Sequence, residues 1–337
     1  MCQSSGASLS SLRGFPTLVD IKKAAHRLEP IIKRTPTEFS VRLSEECKRH
    51  VFLKREDLQL IRSFKLRGAL NKLLGLSENQ RNSGVVCASA GNHAQGFAFA
   101  CRLLKVKGVV FLPQNTPKQK IQQVVYYGKE WINLVLVGTN FNQAYEESIV
   151  FANNNRKIYI HPFDDIDVIV GQGTLALEMI ADLPLDLDCV LVPVGGGGLA
   201  SGVACVYKLL SPKTKIIGVE VEGAAVMADS LERKARTFMP DVDSFADGTA
   251  VAQVGKLPFD MCLKFLDDVI VVSKKAVCRA LIELNNKHGM VVEPSGALSV
   301  AALTNKTIDD YKTVACIISG GNNDAARFIE YTQILES

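Results

Sequence analysis

Nowhere in its 337 residues does the sequence hold an apolar run approaching the ~18 residues that cross a bilayer, so no membrane span is expected. It has no C-x-x-C pair. Its nine cysteines are scattered, and Cys87, Cys189, Cys205 and Cys316 fall inside apolar strand-like or helical stretches. A structural zinc site and a disulfide framework are therefore disfavoured. Cysteine used as a small buried hydrophobe belongs to a reducing compartment, and a cytoplasmic protein is expected. Charge of one sign is also lacking: the net charge is +4 and no basic stripe gathers Lys and Arg, which argues against a nucleic-acid partner. The opening Met1 to Gly14 is serine-rich without an apolar core, so it is not a secretory signal, and a disordered tail over residues 1–14 is the expectation. Beyond that tail there is no low-complexity segment and no internal repeat.

What is present is core-forming material: 47% of the residues are hydrophobic, and the length suggests about two domains. A helical period with a capping threonine runs from Thr17 to Ile32 and is broken by Arg34-Thr35-Pro36-Thr37. His50 to Lys54 reads as a strand, and a helix should start at Lys65 and reach about Leu74. From Gly84 short apolar strands alternate with helices. Strands are expected at 85–88, 108–112, 131–137 and 157–160, and helices at 92–104, 118–127 and 141–153. A non-helical crossing at His161 to Asp165 precedes a helix from Gly173 to Ala181. Strand 189–194, helix 199–210 and strand 216–220 follow; residues 222–256 are less regular; strand 269–272, helix 274–288 and strand 314–318 complete the order. Such alternation means an α/β protein with parallel sheets covered on both faces.

Three strand-to-helix turns carry the chemistry. Val194-Gly195-Gly196-Gly197-Gly198-Leu199 joins a buried strand to a helix N-terminus. A tight turn needs one or two glycines; four in a row let backbone N–H groups converge on a phosphate. The stretch is neither G-x-x-x-x-G-K-[ST] nor a G-x-G-x-x-G with its ribose acid, so nucleoside triphosphates and dinucleotides are disfavoured. Ser89-Ala90-Gly91-Asn92-His93 repeats the geometry with short side chains suited to a carboxylate, although an ordinary helix cap would read the same way. His93 invites a general-base reading, but nothing nearby orients it and a structural role is favoured. Ser319-Gly320-Gly321-Asn322-Asn323 is the third turn. Finally, Lys65 stands at a helix start between Phe64 and Gly68. Alone it reads as a surface lysine; beside a ring it could also be a neutral amine that joins a carbonyl. A phosphate site, a carboxylate site and such a lysine together imply pyridoxal phosphate and an amino acid.

Taken in order, Ser63-Phe64-Lys65-Leu66-Arg67-Gly68-Ala69, Ala88 to Gly96, Gly171-Gln172-Gly173-Thr174, Pro193 to Gly198, Ala246-Asp247-Gly248, Glu293-Pro294-Ser295-Gly296-Ala297 and Ser319-Gly320-Gly321-Asn322 resemble the threonine dehydratases (threonine ammonia-lyases). These are fold-type II, tryptophan-synthase-β-like pyridoxal-phosphate enzymes, related to serine racemase, and the resemblance runs from about Ile21 to Arg327. It implies two open parallel-sheet αβα domains with the cofactor in the cleft: a smaller one at 84–162 inserted into a larger one formed by 15–83 and 163–337. Lys65 would be the catalytic residue and covalent anchor, with Phe64 packed on the cofactor ring. Gly195, Gly196, Gly197, Gly198 and Leu199 would hold the phosphate, Asn92 would face the ring hydroxyl, and Ser319 would face the pyridine nitrogen. Gly248 and Glu293 would also border the cofactor. Ser89, Ala90, Gly91, Asn92 and His93 would line the substrate side.

The resemblance further implies dehydration of L-threonine to 2-oxobutanoate and ammonia, as in isoleucine biosynthesis, with L-serine giving pyruvate as the poorer reaction. A homodimer or homotetramer is expected. The alternatives are a serine dehydratase or racemase, an ammonia-lyase for 3-hydroxyaspartate or diaminopropionate, a catalytically inactive amino-acid-binding relative, and an NAD-linked oxidoreductase. Two departures matter. Serine racemase has a serine, its acid/base on the opposite face, where Ala90 stands. Glu220 is present, but Ala225 and Val226 stand where a later acid would complete a divalent-cation site, so no metal is expected. The biosynthetic enzymes usually add a C-terminal regulatory domain, and none is expected here because the sequence stops ten residues after Arg327.

Overall fold

The computed structural model describes residues 14–183 and 186–336. The tail expected at residues 1–14 lies outside them apart from Gly14. Helix α1 (Leu18–Leu28) opens on a capping box: the Asp20 N–H donates to Thr17 Oγ1 at 3.2 Å, and the Thr17 N–H donates to the Asp20 carboxylate at 2.9 Å. It ends at Leu28 rather than Ile32, because Pro30 has no N–H to extend the ladder. Strand β1 (Thr37–Phe39) and helix α2 (Val41–Cys47) come next, neither anticipated from the sequence. They lead to β2 (His50–Arg55), α3 (Lys65–Gly75) and α4 (Glu78–Ser83).

The alternation expected from Gly84 follows closely: β3 (Val85–Ala88), α5 (Asn92–Leu104), β4 (Gly108–Leu112), α6 (Lys118–Gly128), β5 (Ile132–Leu136), α7 (Phe141–Asn154) and β6 (Ile158–Tyr159). The strands form an all-parallel sheet in the order β5-β4-β3-β6. Val85 and Cys87 point into one apolar cluster, Val86 and Ala88 into another, so both faces are covered.

Helix α8 (Ile166–Asp182) starts seven residues before the expected Gly173. The Asp165 carboxylate caps it, accepting the N–H groups of Asp167 at 2.8 Å and Val168 at 3.2 Å. Its internal glycines are there for contact: a Cβ on Gly171 would lie 2.6 Å from the Arg67 carbonyl oxygen, so α8 runs hard against α3. The remaining elements are β7 (Cys189–Pro193), α9 (Gly198–Leu210), β8 (Lys215–Val221), α10 (Val226–Arg233), α11 (Lys256–Phe265), β9 (Asp268–Val272), α12 (Lys274–His288), α13 (Pro294–Ala301), β10 (Thr313–Ile318) and α14 (Arg327–Glu336). Helices α10, α11, α13 and α14 add to what the sequence suggested. For α13 the Pro-Ser-Gly opening resembles a turn, yet proline in the first helical turn costs no hydrogen bond.

The six-stranded sheet has the order β1-β2-β10-β7-β8-β9. It departs from the all-parallel expectation at one edge, where β1 pairs antiparallel with β2. The ten residues 40–49 between them are fewer than the dozen or so of a parallel crossover. Cys189, Leu191, Val314 and Cys316 pack on one face, and Val190, Val192, Ala315 and Ile317 on the other. The turns at the carboxyl ends of β3, β7 and β10 all open on one cleft, where parallel sheets present backbone donors.

A buried ion network fixes α3 beneath that cleft. Arg67, with no exposed surface, donates to both Glu56 oxygens at 2.9 and 2.8 Å and to both Glu178 oxygens at 2.7 and 2.9 Å. Lys54 completes it with a 2.6 Å bond to Glu178. Two cations face two anions, so no buried charge is left unpaired.

Candidate active site

Lys65 is the first residue of α3, and the chain before it is pinned from the far end of the sequence. Ser63 bridges to Gly320, and the Phe64 N–H donates to the Ser319 carbonyl at 3.1 Å. The Lys65 Nζ reaches into the cleft, donates to the Pro162 carbonyl oxygen at 2.9 Å, and lies 5.3 Å from the centroid of the Phe64 ring. Burial lowers its pKa to about 8, against the pull of the Glu293 carboxylate. An amine with that pKa supplies a substantial neutral fraction near physiological pH, which an ordinary lysine does not.

The glycine turn lies beside it. Gly197 has φ +93°, open to glycine at no cost, and a Cβ on Gly196 would come within 2.3 Å of the Phe163 ring. The N–H groups of Gly195 to Leu199 meet no acceptor among the described residues, and the last of them begin α9. Converging free donors at a helix N-terminus suit a phosphate. Phe64, Lys65, Asn92, Gly248, Glu293 and Ser319 border the same narrow recess.

Two of these residues, Asn92 and Glu293, are already linked, with Ser295 and Asn322 joined to them. Asn92 Nδ2 donates to Glu293 Oε1 at 2.6 Å, Ser295 Oγ donates to the same oxygen at 2.9 Å, and Asn322 Nδ2 donates to Asn92 Oδ1 at 2.7 Å. Burial, then the charge of Asp247, pushes the Glu293 pKa up to about 7, with the Ser295 and Asn92 hydrogen bonds opposing. Ser319 Oγ donates to the Ser295 carbonyl at 3.2 Å, so a neutral hydroxyl faces the recess.

The opposite wall is the turn from β3 into α5, and Ser89, Ala90, Gly91, Asn92 and His93 all line a cleft of about 270 Å³. Ser89 Oγ accepts the Gly91 N–H at 3.3 Å, and the N–H groups of Asn92 and His93 meet no acceptor among the described residues, which suits a substrate carboxylate. The His93 imidazole is engaged elsewhere. Its Nε2 lies 2.9 Å from the Ile160 carbonyl, which can only accept, so that nitrogen carries the proton. Its Nδ1 is buried without a partner in the structure, and burial, followed by the Lys65 charge, lowers its pKa to about 3. His93 thus offers a substrate its backbone N–H, and its ring is no general base.

Glu220 has a task of its own. Its carboxylate accepts the N–H groups of Met227 at 2.9 Å and Ala228 at 2.8 Å, capping α10, and burial raises its pKa to about 7. No cluster of three or more potential metal ligands occurs among the described residues. The structure also brings in residues that sequence reasoning passed over: Pro162, Phe163, Lys120 and Phe141 line the cleft. A backbone carbonyl such as that of Pro162 leaves no signature in residue type.

A buried amine of lowered pKa, free donors for a phosphate, free donors for a carboxylate and a neutral hydroxyl between them fit pyridoxal phosphate and an amino acid. The comparisons agree. The family model described as "Pyridoxal-phosphate dependent enzyme" matches residues 28–320. The biosynthetic L-threonine dehydratase of Staphylococcus saprophyticus is 45% identical over 322 residues, covering 92% of this chain and 75% of that protein. The processed form of threonine deaminase isoform 2 from Solanum lycopersicum superposes with a TM-score of 0.91 at 36% identity, over 98% of this chain and 95% of that one. Maize serine racemase follows at 0.88 and 30% identity, over 94% and 96%. The family match takes in Lys65, the turns at Ser89–His93 and Gly195–Leu199 and the start of the third at Ser319 within one continuous span, and on that ground the chain belongs to the family of pyridoxal-phosphate dependent enzymes.

Proposed function

We propose that this enzyme is an L-threonine ammonia-lyase, converting L-threonine to 2-oxobutanoate and ammonia, with L-serine giving pyruvate more slowly. The observation that carries the reading is the Lys65 amine, held between a free-donor turn for a phosphate and a second one for a carboxylate. Support comes also from the 45% identity to a biosynthetic L-threonine dehydratase.

Pyridoxal phosphate, when bound, would supply a carbonyl for the substrate amino group and a ring able to accept the electron pair left at Cα. The protein supplies the rest. Gly195 to Leu199 would hold the phosphate, Phe64 would pack on the ring, and Asn92, Gly248 and Glu293 would border it. The start of α5 would fix the carboxylate on the side of the cleft that Lys65 reaches. The neutral Lys65 amine takes the Cα proton. Ser319 would offer the pyridine nitrogen a hydroxyl, not a carboxylate, which would not enforce ring protonation and would favour loss of the β-hydroxyl, leaving as water once protonated.

The racemase reading is weaker, because Ala90 has no proton to give to the second face of Cα. An inactive relative is disfavoured by the intact Lys65. The smaller domain in this reading is 84–162, the segment from which the four-stranded sheet is drawn. A homodimer or homotetramer, testable by sedimentation, and a cytoplasmic location complete it; the unpaired thiols of the described cysteines suit a reducing compartment. The deciding experiment follows the visible spectrum of the purified protein as L-threonine is added, with keto-acid release read in the same cuvette. Absence of cofactor absorbance, or of 2-oxobutanoate, would overturn the proposal.

A further inference from the structure

We propose that His161 is a positioning residue that sets the resting place of the Lys65 amine through the carbonyl of Pro162. This rests on the reading of Lys65 as the reacting amine. The segment from His161 to Asp165 turns between β6 and α8 without a glycine, and three contacts depend on its shape. The Pro162 carbonyl accepts the Lys65 Nζ at 2.9 Å. The Phe163 ring covers Gly196, where a Cβ would come within 2.3 Å of it. The Asp164 carboxylate caps α11, accepting the N–H groups of Lys256 at 2.8 Å and Leu257 at 3.0 Å. One acceptor closes the turn: the N–H groups of Phe163 and Asp164 donate to His161 Nδ1 at 3.3 and 2.7 Å.

A ring nitrogen that accepts from N–H groups carries no proton, so His161 is the neutral tautomer with its proton on Nε2. Burial, the largest influence, keeps it so by lowering its pKa to about 4, although Asp164 and Asp165 pull upward and Lys65 adds to the lowering. The choice of a carbonyl for the amine has a chemical point. A carbonyl holds the amine by one N–H and leaves the nitrogen lone pair unengaged, as a base requires; a carboxylate there would favour the ammonium form. His161 also packs, its ring perpendicular to Phe163 at 4.6 Å and beside Tyr145 and Tyr159.

Accepting and packing can be separated. His161→Asn keeps an acceptor for the same two N–H groups, as asparagine does in turns, and loses the ring. His161→Phe keeps a ring and loses the acceptor. In the full-length holoenzyme, His161→Phe should lower kcat for L-threonine about 10- to 100-fold with KM nearly unchanged, through misplacement of the amine. His161→Asn should stay within about threefold of wild type. The opposite order, equal losses or no loss in either would overturn the proposal. Histidine nitrogen NMR of the wild-type protein gives a readout that needs no substrate and no variant: Nδ1 of His161 should be unprotonated at neutral pH, and a proton on it would also overturn the proposal. If wild type turns over neither L-threonine nor L-serine, the functional reading fails, while the NMR result still decides the turn.

Discussion

Lys120 on α6 and Asp247, 127 residues later, form an ion pair between two residues that line the same cleft. One belongs to the helices around the four-stranded sheet and the other to the loop before α11. The side chains are 36% and 38% exposed, so water and salt reach the pair.

An exposed pair of this kind couples its partners by up to about 1 kcal/mol. Lys120→Ala and Asp247→Ala, singly and together, should change KM for L-threonine by less than about fivefold, with a coupling in the double-mutant cycle that fades at about 1 M salt, where screening is nearly complete. A coupling of several kcal/mol, or one indifferent to salt, would show that the pair is desolvated during turnover.

Lys65→Ala removes the base and the covalent anchor together. Turnover of L-threonine should fall by orders of magnitude, and the visible absorbance of bound cofactor should be lost or displaced. Near-normal turnover would sink the assignment of the site.

The lowered pKa of Lys65 has a signature in stability. Its folded value is about 8 against an ordinary 10.5, so between those pH values the unfolded cofactor-free protein holds a proton that the folded one has released. More protons on the unfolded side means that stability gains from rising pH. The urea midpoint of the cofactor-free wild type, relative to Lys65→Met, should therefore increase from about pH 8 to about pH 10.5. A difference flat across that window would mean that the amine is solvated and unshifted.

Between Val85 and Tyr159 the elements could be read within a residue or two, because short strands buried on both faces stay apolar along their length and break at polar turns. Reading failed where a residue type had a second use. The helix expected to start at Gly173 starts at Ile166, and Gly171 and Gly173 serve close packing inside it. Thr37 to Phe39 became a strand only because Phe39 finds Phe52 across the sheet, which no local pattern records. In the site, glycine-rich turns mark themselves in residue type, so Gly195 to Gly198 and Ser89 to Asn92 were legible. Pro162 works through its backbone, His161 through the lone pair of one tautomer, and Glu220 through a helix cap; a string of letters shows none of these.

Ala90 lines the cleft on the α5 side, where the racemases of the resemblance given above have a serine. In the proposed reaction Lys65 serves one face of Cα, and a methyl group gives nothing to the other. Wild type should turn L-serine into pyruvate with little D-serine. Ala90→Ser should raise D-serine while leaving elimination in place; a proton donor in reach is worth ~10²-fold on a transfer step. Chiral chromatography of the serine pool decides it. Abundant D-serine from wild type would reveal another donor on that face.

The pairing of β10 with β2, from His50 with Thr313 to Arg55 with Ile318, and the bridge from Ser63 to Gly320, give the site an order in time. Lys65 leaves the ribosome early, while the strand that seats it and the Ser319 turn emerge only after every other strand of both sheets. Contacts so distant in sequence close late, because the chain between them must first be ordered. A nascent chain that stops before Thr313 lacks an inner strand of its larger sheet, not merely an edge. Cofactor loading should therefore wait for β10 and the Ser319 turn, and fragments from synthesis stalled before them should carry none.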